Sequence, residues 1–228
     1  MSKGVFITGT GTDIGKTYVT GLIVKKLRSS GFNAGYYKPA LSGAEYVDDK
    51  LIPGDCKFVA DTAGIPLAPQ ELTSYIYITP VSPHLAAQLE QRLIEADVIL
   101  ADFNNSSRQY DYLAVEGCGG LVCPLRMDDT ILMQTDIIKL LKLDLIIVAS
   151  AELGSINSTV LTAHYAGSLG LTVKGIILNN YDDTHFLHRD NKTIIERLTR
   201  LPIIACVPSQ AVSLAMETDA LCSLFEEV

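Results

Sequence analysis

The sequence predicts an α/β domain built around a mostly parallel β-sheet with helices on both faces. Two observations support this prediction. Short segments that are almost entirely apolar alternate with helical segments along the 228 residues, and a strand, a glycine-rich loop and a helix follow one another at residues 3–19. Apolar strands separated by helices are typical of parallel sheets that are buried on both faces. We expect residues 1–228 to form a single domain, because this length suffices for one sizeable core.

The segment KGVFITGTGTDIGKTYV at residues 3–19 is the most informative stretch. An apolar strand at residues 5–7 leads into a loop from Gly9 to Gly15, and Lys16 and Thr17 then open a helix. Backbone N–H groups and the positive end of a helix dipole favour a phosphate at such a place. Lys16 would neutralise the outer phosphates, and the Thr17 hydroxyl would ligate Mg2+. The segment predicts a P-loop NTPase-like fold, although five residues separate the two glycines where the generic motif has four.

The remaining elements follow from alternating apolar and helical patterns. Further strands are expected at 34–39, 74–80 (at an edge of the sheet), 112–116, 144–149, 175–180 and 202–207. Further helices are expected at 55–63, 85–92, 96–107, 136–141, 154–169 and 186–200, with a C-terminal helix from about residue 213. Glycines, prolines and charges at residues 40–54 predict a mobile loop.

The strand at 112–116 ends at an acidic residue, Glu116, and the chain then turns on three glycines among residues 117–120. A carboxylate buried at the end of an apolar strand is costly unless it has a partner. We therefore expect Glu116 to face the phosphate loop and to bind a metal ion and its waters.

Composition excludes several classes of partner. The chain has 26 acidic and 18 basic residues, a net charge of −8, which argues against binding nucleic acid or an anionic membrane. It has no N-terminal signal pattern and no apolar run of membrane-spanning length. The five cysteines are odd in number and form no CxxC pair. We expect reduced thiols in a cytoplasmic enzyme.

Three further motifs accompany the loop: YKPALSG at 37–43, SPH at 82–84 and VEGCGG at 115–120. In this combination and order the sequence resembles the dethiobiotin synthetase family, from about residue 3 to residue 210. The five-residue spacing in the loop also matches that family. Two departures are Cys118, where the family is expected to have alanine, and the segment at 209–211, which is unlike familiar members.

The resemblance implies an ATP-dependent cyclo-ligase that closes a urea ring on 7,8-diaminopelargonic acid with CO2. An amine takes up CO2 as a carbamate, ATP phosphorylates the carbamate to a carbamic-phosphoric anhydride, and the second amine displaces phosphate. The resemblance also implies Mg2+ and a homodimer with shared sites.

By the same resemblance, Lys38 is the catalytic lysine that bridges carbamate and γ-phosphate, and Lys16 assists on the phosphates. An exposed lysine at a strand end remains the alternative for Lys38. The implied Mg2+ ligands are Thr17, Asp55 and Glu116, which supply the oxygen atoms that this ion prefers. Asp55 is equally consistent with a helix cap.

The implied ATP-binding residues come from the phosphate loop, the glycine loop and the later strand ends: Asp13, Ile14, Gly15, Lys16, Thr17, Tyr18, Asp55, Glu116, Gly117, Cys118, Gly119, Asn179, Asn180, Pro208, Ser209 and Gln210. Asn179 has the donor and acceptor that adenine needs, with a capped turn as the alternative. The implied diamine-binding residues are Thr12, Ser42, Gly154, Ser155, Ile156 and Asn157. The last four form the start of a helix whose N–H groups would bind the substrate carboxylate. The resemblance implies that the neighbouring subunit supplies this helix start.

Two related classes fit less well. Partitioning ATPases carry an additional lysine early in the phosphate loop, and none lies between Gly9 and Lys16 here. Their membrane-bound forms end in a basic amphipathic helix, whereas residues 216–228 are acidic. Amidoligases of the cobyrinate type append a glutamine-hydrolysing domain, for which 228 residues leave no room. A catalytically silent nucleotide-binding module has no specific support.

Overall fold

A parallel β-sheet forms the centre of the computed structural model, which describes residues 2–228. The strands are β1 (Lys3–Gly9), β2 (Ala34–Leu41), β3 (Glu45–Val47), β4 (Lys50–Ile52), β5 (Thr73–Ile76), β6 (Tyr112–Glu116), β7 (Pro124–Met127), β8 (Ile131–Met133), β9 (Leu145–Ser150), β10 (Val173–Asn179), β11 (Ile203–Val207) and β12 (Glu226–Glu227). The helices are α1 (Lys16–Ser29), α2 (Gly54–Ala63), α3 (Pro83–Leu89), α4 (Ala96–Ser107), α5 (Gln134–Leu141), α6 (Ser155–Ser168), α7 (Phe186–Thr199) and α8 (Thr218–Cys222), with a 3-10 turn at Pro69–Leu72.

The strand order of the sheet is β11-β10-β9-β1-β6-β2-β5, and each neighbouring pair on this path is parallel. Strand β12 pairs antiparallel with the start of β1. Two antiparallel hairpins, β3–β4 and β7–β8, lie outside the sheet. The predicted fold class, a mostly parallel sheet in a single α/β domain, is confirmed.

Helices cover both faces of the sheet, as alternation along β1 shows. Val5 and Ile7 pack with Ile23 of α1 in one buried cluster, while Phe6 packs with Ile137 of α5 in another. Successive side chains of a strand point to opposite faces, so each face of β1 has its own apolar layer. A third cluster joins β9 and β10 to α6 and α7.

The C-terminal helix predicted from about residue 213 starts later and is much shorter than expected. The structure has only the five-residue helix α8, after which the chain extends as β12 and pairs Glu226 with Gly4 and Glu227 with Lys3. Leu224 and Phe225 are buried against the first apolar cluster. This packing and the pairing with β1 hold the last residues in an extended conformation.

Other boundaries also differ from the sequence predictions: the strand predicted at 74–80 ends at Ile76, and the helix predicted at 85–92 spans Pro83–Leu89. Strand β2 continues to Leu41, so Lys38 lies within a strand and not at its end. The predicted loop at 40–54 contains the hairpin β3–β4, in which Tyr46 and Val47 are exposed. Within residues 2–228, no helix is both long and apolar enough to cross a membrane.

Candidate active site

The loop after β1 turns tightly at Gly15, whose φ of 89° lies in the left-handed region that favours glycine. A Cβ at this position would lie 2.0 Å from Asn179 Nδ2. The Asn179 amide donates to the Ile14 carbonyl oxygen (3.0 Å), and this contact ties the end of β10 to the loop. The first turn of α1 contains no acidic residue. Its N–H groups are therefore suited to an anion.

Lys16, the first residue of α1, folds back over the loop. It is only 7% exposed, and its Nζ donates to the Gly11 carbonyl oxygen (3.0 Å). Burial and then the nearby charge of Lys38 lower the pKa of Lys16 from its usual value. An anion such as a phosphate group would offset both effects, because opposite charge favours the protonated amine.

A second lysine, Lys38, lies between two carboxylates. Its Nζ is 2.9 Å from Asp55 Oδ2 and 2.9 Å from Glu116 Oε1. Thr17 Oγ1 donates to the same Glu116 oxygen (2.7 Å). Lys38 is 3% exposed and Glu116 is fully buried. The structure thus brings together residues from α1, β2, α2 and β6 that are widely separated in the sequence.

The charges in this cluster stabilise one another. Burial alone would lower the pKa of Lys38, but Glu116 and Asp55 raise it well above its usual value. Burial would raise the pKa of Asp55, but the charge and hydrogen bond of Lys38 hold it below its usual value. Lys38 therefore stays protonated and Asp55 ionised at neutral pH.

The topology explains why these groups meet. Glu116 is the last residue of β6, and the phosphate loop follows the neighbouring strand β1. The carboxyl ends of adjacent parallel strands lie at the same edge of a sheet, where α/β proteins bind their ligands. Strand β2 pairs with β6 on its other side and presents Lys38 at this edge. Asp55 reaches the cluster from the first turn of α2.

The residues present fit a Mg2+ ion. Thr17, Asp55 and Glu116 supply a hydroxyl and two carboxylates around one point, now approached by the ammonium group of Lys38. Mg2+ is commonly held by one or two carboxylates together with substrate phosphates. No group of three or more His, Cys, Asp or Glu side chains that could hold a metal occurs within residues 2–228. This donor set favours a hard cation shared with a phosphate ligand.

These groups line a cleft of about 1010 Å³. The predicted site residues in its walls are Thr12, Asp13, Gly15, Lys16, Thr17, Tyr18, Lys38, Ser42, Asp55, Glu116, Cys118 and Gly119. Gly117 lies beside the cleft wall, where its carbonyl oxygen accepts from Lys38 (3.3 Å). Ile14 and Asn179 do not line the cleft, and they contact each other through the Ile14 carbonyl oxygen. The cleft is large enough for a nucleotide and a second small molecule.

Two predicted residues in the cleft wall already make hydrogen bonds. The Ser42 hydroxyl donates to the Val81 carbonyl oxygen (2.6 Å), so it offers a ligand only its lone pairs. Cys118 Sγ donates to the Ala40 carbonyl oxygen (2.9 Å). Burial raises the pKa of the Cys118 thiol, so the thiol stays protonated at neutral pH.

Two predicted groups lie outside the cleft. Asn180, Pro208, Ser209 and Gln210 are on the loops after β10 and β11, and the Tyr18 hydroxyl links this region to α1 through the Ala211 carbonyl oxygen. Gly154, Ser155, Ile156 and Asn157 form the start of α6, which does not line the cleft of the same chain. Within this start, Ser155 is only 4% exposed, whereas Asn157 is exposed.

The sequence analysis missed two residues that support the site. The Tyr36 hydroxyl donates to Glu116 Oε2 (3.0 Å). Gln134, at the start of α5, accepts from the Cys118 N–H (2.6 Å) and donates to the Gly120 carbonyl oxygen (3.1 Å), so it fixes the glycine loop. A tyrosine two positions before Lys38 could have been noticed, since the two share one face of a strand. No pattern in the sequence pointed to Gln134.

The phosphate loop, the two buried lysines and the carboxylate pair at one edge of a parallel sheet define a P-loop NTPase-like protein. A family model described as an AAA domain matches residues 3–216. The chain is 52% identical over 206 residues to the ATP-dependent dethiobiotin synthetase BioD of Clostridium botulinum (strain Eklund 17B / Type B), covering 90% of this chain and 91% of that relative. It is 45% identical over 228 residues to BioD of C. botulinum (strain Loch Maree / Type A3), covering 100% of both. The chain belongs to the dethiobiotin synthetase family and is therefore a ligase.

Solved structures show the same fold at low sequence identity. A ParA family ATPase from Chlorobium tepidum TLS has a TM-score of 0.56 at 15% identity and covers 98% of this chain and 90% of its own. The septum site-determining protein MinD from Pyrococcus horikoshii OT3, complexed with Mg-ADP, has a TM-score of 0.55 at 15% identity, with 92% and 82% covered. At this identity the likeness concerns the fold alone.

Proposed function

We propose that this protein is an ATP- and Mg2+-dependent cyclo-ligase of biotin biosynthesis, which converts 7,8-diaminopelargonic acid and CO2 to dethiobiotin and releases ADP and phosphate. The observation that carries this proposal is the position of Lys38, a buried cation at the cleft between Asp55 and Glu116. The names of relatives that cover nearly the whole chain support the same reaction. We further propose that residues 1–228 act as one domain, in the cytoplasm.

The reaction joins two anions, a carbamate and the γ-phosphate of ATP. A carbamate oxygen attacks the γ-phosphorus and ADP leaves; the second amine then attacks the carbamoyl carbon and phosphate leaves. Lys16 and Lys38 line one cleft and supply positive charge on both sides of the phosphoryl group. Such preorganised charge stabilises a transition state more effectively than water does. When bound through Thr17, Asp55 and Glu116, Mg2+ would neutralise phosphate charge.

The nucleoside would extend from the phosphate loop toward β10 and β11. Asn179 lies against this loop, and its Oδ1 is buried without a hydrogen-bond partner among residues 2–228. An adenine amino group would satisfy this acceptor, since buried polar atoms are normally paired. The backbone contact from Tyr181 N–H to the Val207 carbonyl oxygen (3.0 Å) brings Asn180 near the loop that contains Pro208, Ser209 and Gln210.

The test is a phosphate-release assay with diaminopelargonic acid, bicarbonate and ATP, in which each component and Mg2+ are omitted in turn. We expect release only from the complete mixture, because phosphate leaves in the last bond-forming step. The product is identified by mass spectrometry. Equal phosphate release without the diamine would show a plain ATPase and contradict the proposal.

We also propose that the diamine's carboxylate binds the α6 start of the neighbouring subunit in a homodimer. The helix start at Gly154–Asn157 has Gly154 as its N-terminal flank, with no side-chain cap, and it lies outside the cleft of its own chain. A long substrate with a charged tail needs an anchor far from its reacting amines, and helix N-termini favour anions. A twofold dimer would supply two equivalent anchors.

Subunit mixing tests this arrangement. Asn157→Asp, at an exposed position in the first turn of α6, should raise the diamine KM by charge repulsion and leave ATP binding unchanged. Equal mixing with Lys38→Leu subunits should restore about a quarter of wild-type activity after exchange, because one site of each hybrid dimer carries neither defect. Each variant is first checked for folding by thermal melting. Proven exchange with no recovered activity would place the complete site within one chain.

A further inference from the structure

Tyr36 makes a contact with the candidate cation site that the proposed reaction does not use. It lies two residues before Lys38 on β2, so both side chains leave the same face of the strand. The Tyr36 hydroxyl donates to Glu116 Oε2 (3.0 Å). The other carboxylate oxygen, Oε1, accepts from Lys38 (2.9 Å) and from Thr17 (2.7 Å). Each oxygen of Glu116 therefore has its own side-chain donors.

The hydrogen bond from Tyr36 to Glu116 lies in the protein interior. Tyr36 and Glu116 are both fully buried, so water cannot replace either partner. Rotation of the carboxylate would break this bond and leave a buried polar group unpaired, which is costly.

We propose that Tyr36 is a positioning residue that holds Glu116 so that only Oε1 reaches a cation in the cleft, and that it thereby selects Mg2+ over Ca2+. This inference rests on the proposed Mg2+ site at Thr17, Asp55 and Glu116. The buried phenol fixes the orientation of the Glu116 carboxylate, and bidentate binding would require the carboxylate to turn or to lose this hydrogen bond, so monodentate binding through Oε1 is favoured.

Mg2+ and Ca2+ differ in coordination geometry, so monodentate binding by Glu116 would favour Mg2+. Mg2+ requires near-octahedral geometry and usually takes carboxylates through one oxygen each, while Ca2+ takes six to eight oxygens and often binds carboxylates through both. Monodentate binding by Glu116 therefore suits Mg2+, whereas Ca2+ would lack one of the oxygen ligands that it could otherwise use. Partners that orient metal ligands typically change metal affinity by about 10- to 100-fold when removed.

Tyr37 provides a matched comparison within the same strand. It is 1% exposed, but it faces the opposite side of β2. Its hydroxyl lies 2.6 Å from Ser74 Oγ and donates to the Ile99 carbonyl oxygen (3.1 Å). Replacing either tyrosine with phenylalanine removes one buried hydroxyl, yet only the Tyr36 change affects Glu116.

The experiment measures Mg2+ and Ca2+ binding by calorimetry in the presence of ADP for the wild type, Tyr36→Phe and Tyr37→Phe. Tyr36→Phe is expected to weaken Mg2+ binding about tenfold and to leave Ca2+ binding equal or tighter, so that the Mg2+/Ca2+ selectivity falls at least tenfold. Tyr37→Phe is expected to lower the melting temperature and to keep the wild-type selectivity.

The possible results distinguish a failure of the role proposed for Tyr36 from a failure of the proposed Mg2+ site. Wild-type protein that binds neither ion with ADP present would contradict the cation site itself. The wild type could instead bind Mg2+ while Tyr36→Phe keeps the same Mg2+/Ca2+ selectivity. That result would contradict the role of Tyr36 and leave the cation site intact. If Tyr36→Phe does not fold, Tyr36→Met supplies another apolar side chain without a donor. Failure of both to fold would show that Tyr36 is only a core residue and would overturn the inference.

Discussion

Lys38→Leu is expected to lower kcat by about 1000-fold, the upper range for removing one preorganised group that stabilises transition-state charge. ATP affinity should fall much less, because Lys38 acts mainly as the carbamate meets the phosphoryl group. The measurements are kcat from the phosphate-release assay and the ATP dissociation constant from calorimetry. Equal losses in both quantities would make Lys38 an ordinary phosphate-binding residue.

The structure indicates that Lys38→Leu also lowers the stability of the fold. Removing Lys38 leaves Glu116 fully buried without a charged partner, and breaking a buried ion pair in this way typically costs about 3–5 kcal/mol. Thermal melting must therefore accompany the kinetics. Lys57→Leu is the control: Lys57 also pairs with an aspartate, Asp61 (2.7 Å), but both side chains are exposed. Its loss should change stability by less than about 1 kcal/mol and leave kcat unchanged.

Lys16→Ala is expected to weaken ATP binding by about 100-fold or more, since a charged group at a desolvated phosphate site contributes several kcal/mol. Because Lys16 also donates to the Gly11 carbonyl oxygen (3.0 Å), the variant should lose about 1 kcal/mol of stability as well. Calorimetric titration with ATP and chemical unfolding measure the two effects separately.

Lys25, another lysine on α1, serves as the control for Lys16. Lys25 lies on the same helix and also donates to a backbone carbonyl oxygen, that of Val212 (3.0 Å), but at an exposed position. Lys25→Ala should leave ATP affinity at the wild-type value. Wild-type ATP affinity in Lys16→Ala would contradict the assignment of the loop as a phosphate site.

The sequence predicted the fold because its strongest patterns are local. Strand β6 ends at Glu116 and α4 spans Ala96–Ser107, both at the predicted bounds, since an apolar strand and an amphipathic helix are visible in a short window. The phosphate loop is likewise one continuous segment. The family followed from motifs that keep their order along the chain, and the relatives confirm it.

The C-terminal segment shows where local patterns fail. Its composition suits a helix, but the burial of Leu224 and Phe225 and the pairing of β12 with β1 hold the last residues extended. The pairing of β12 with β1 joins residues more than two hundred positions apart. Tertiary packing commonly outweighs a weak local propensity, and no short window contains that information.

The sequence by itself determined the chemical types in the site: a phosphate loop, two lysines and oxygen ligands. Only the tertiary structure decided that Lys38 lies buried between Asp55 and Glu116 and that Tyr36 occupies the second oxygen of Glu116. Such contacts depend on which strands become neighbours and on which face each side chain leaves. Strand order arises from the packing of the whole sheet, so it is not written in any one segment of the chain.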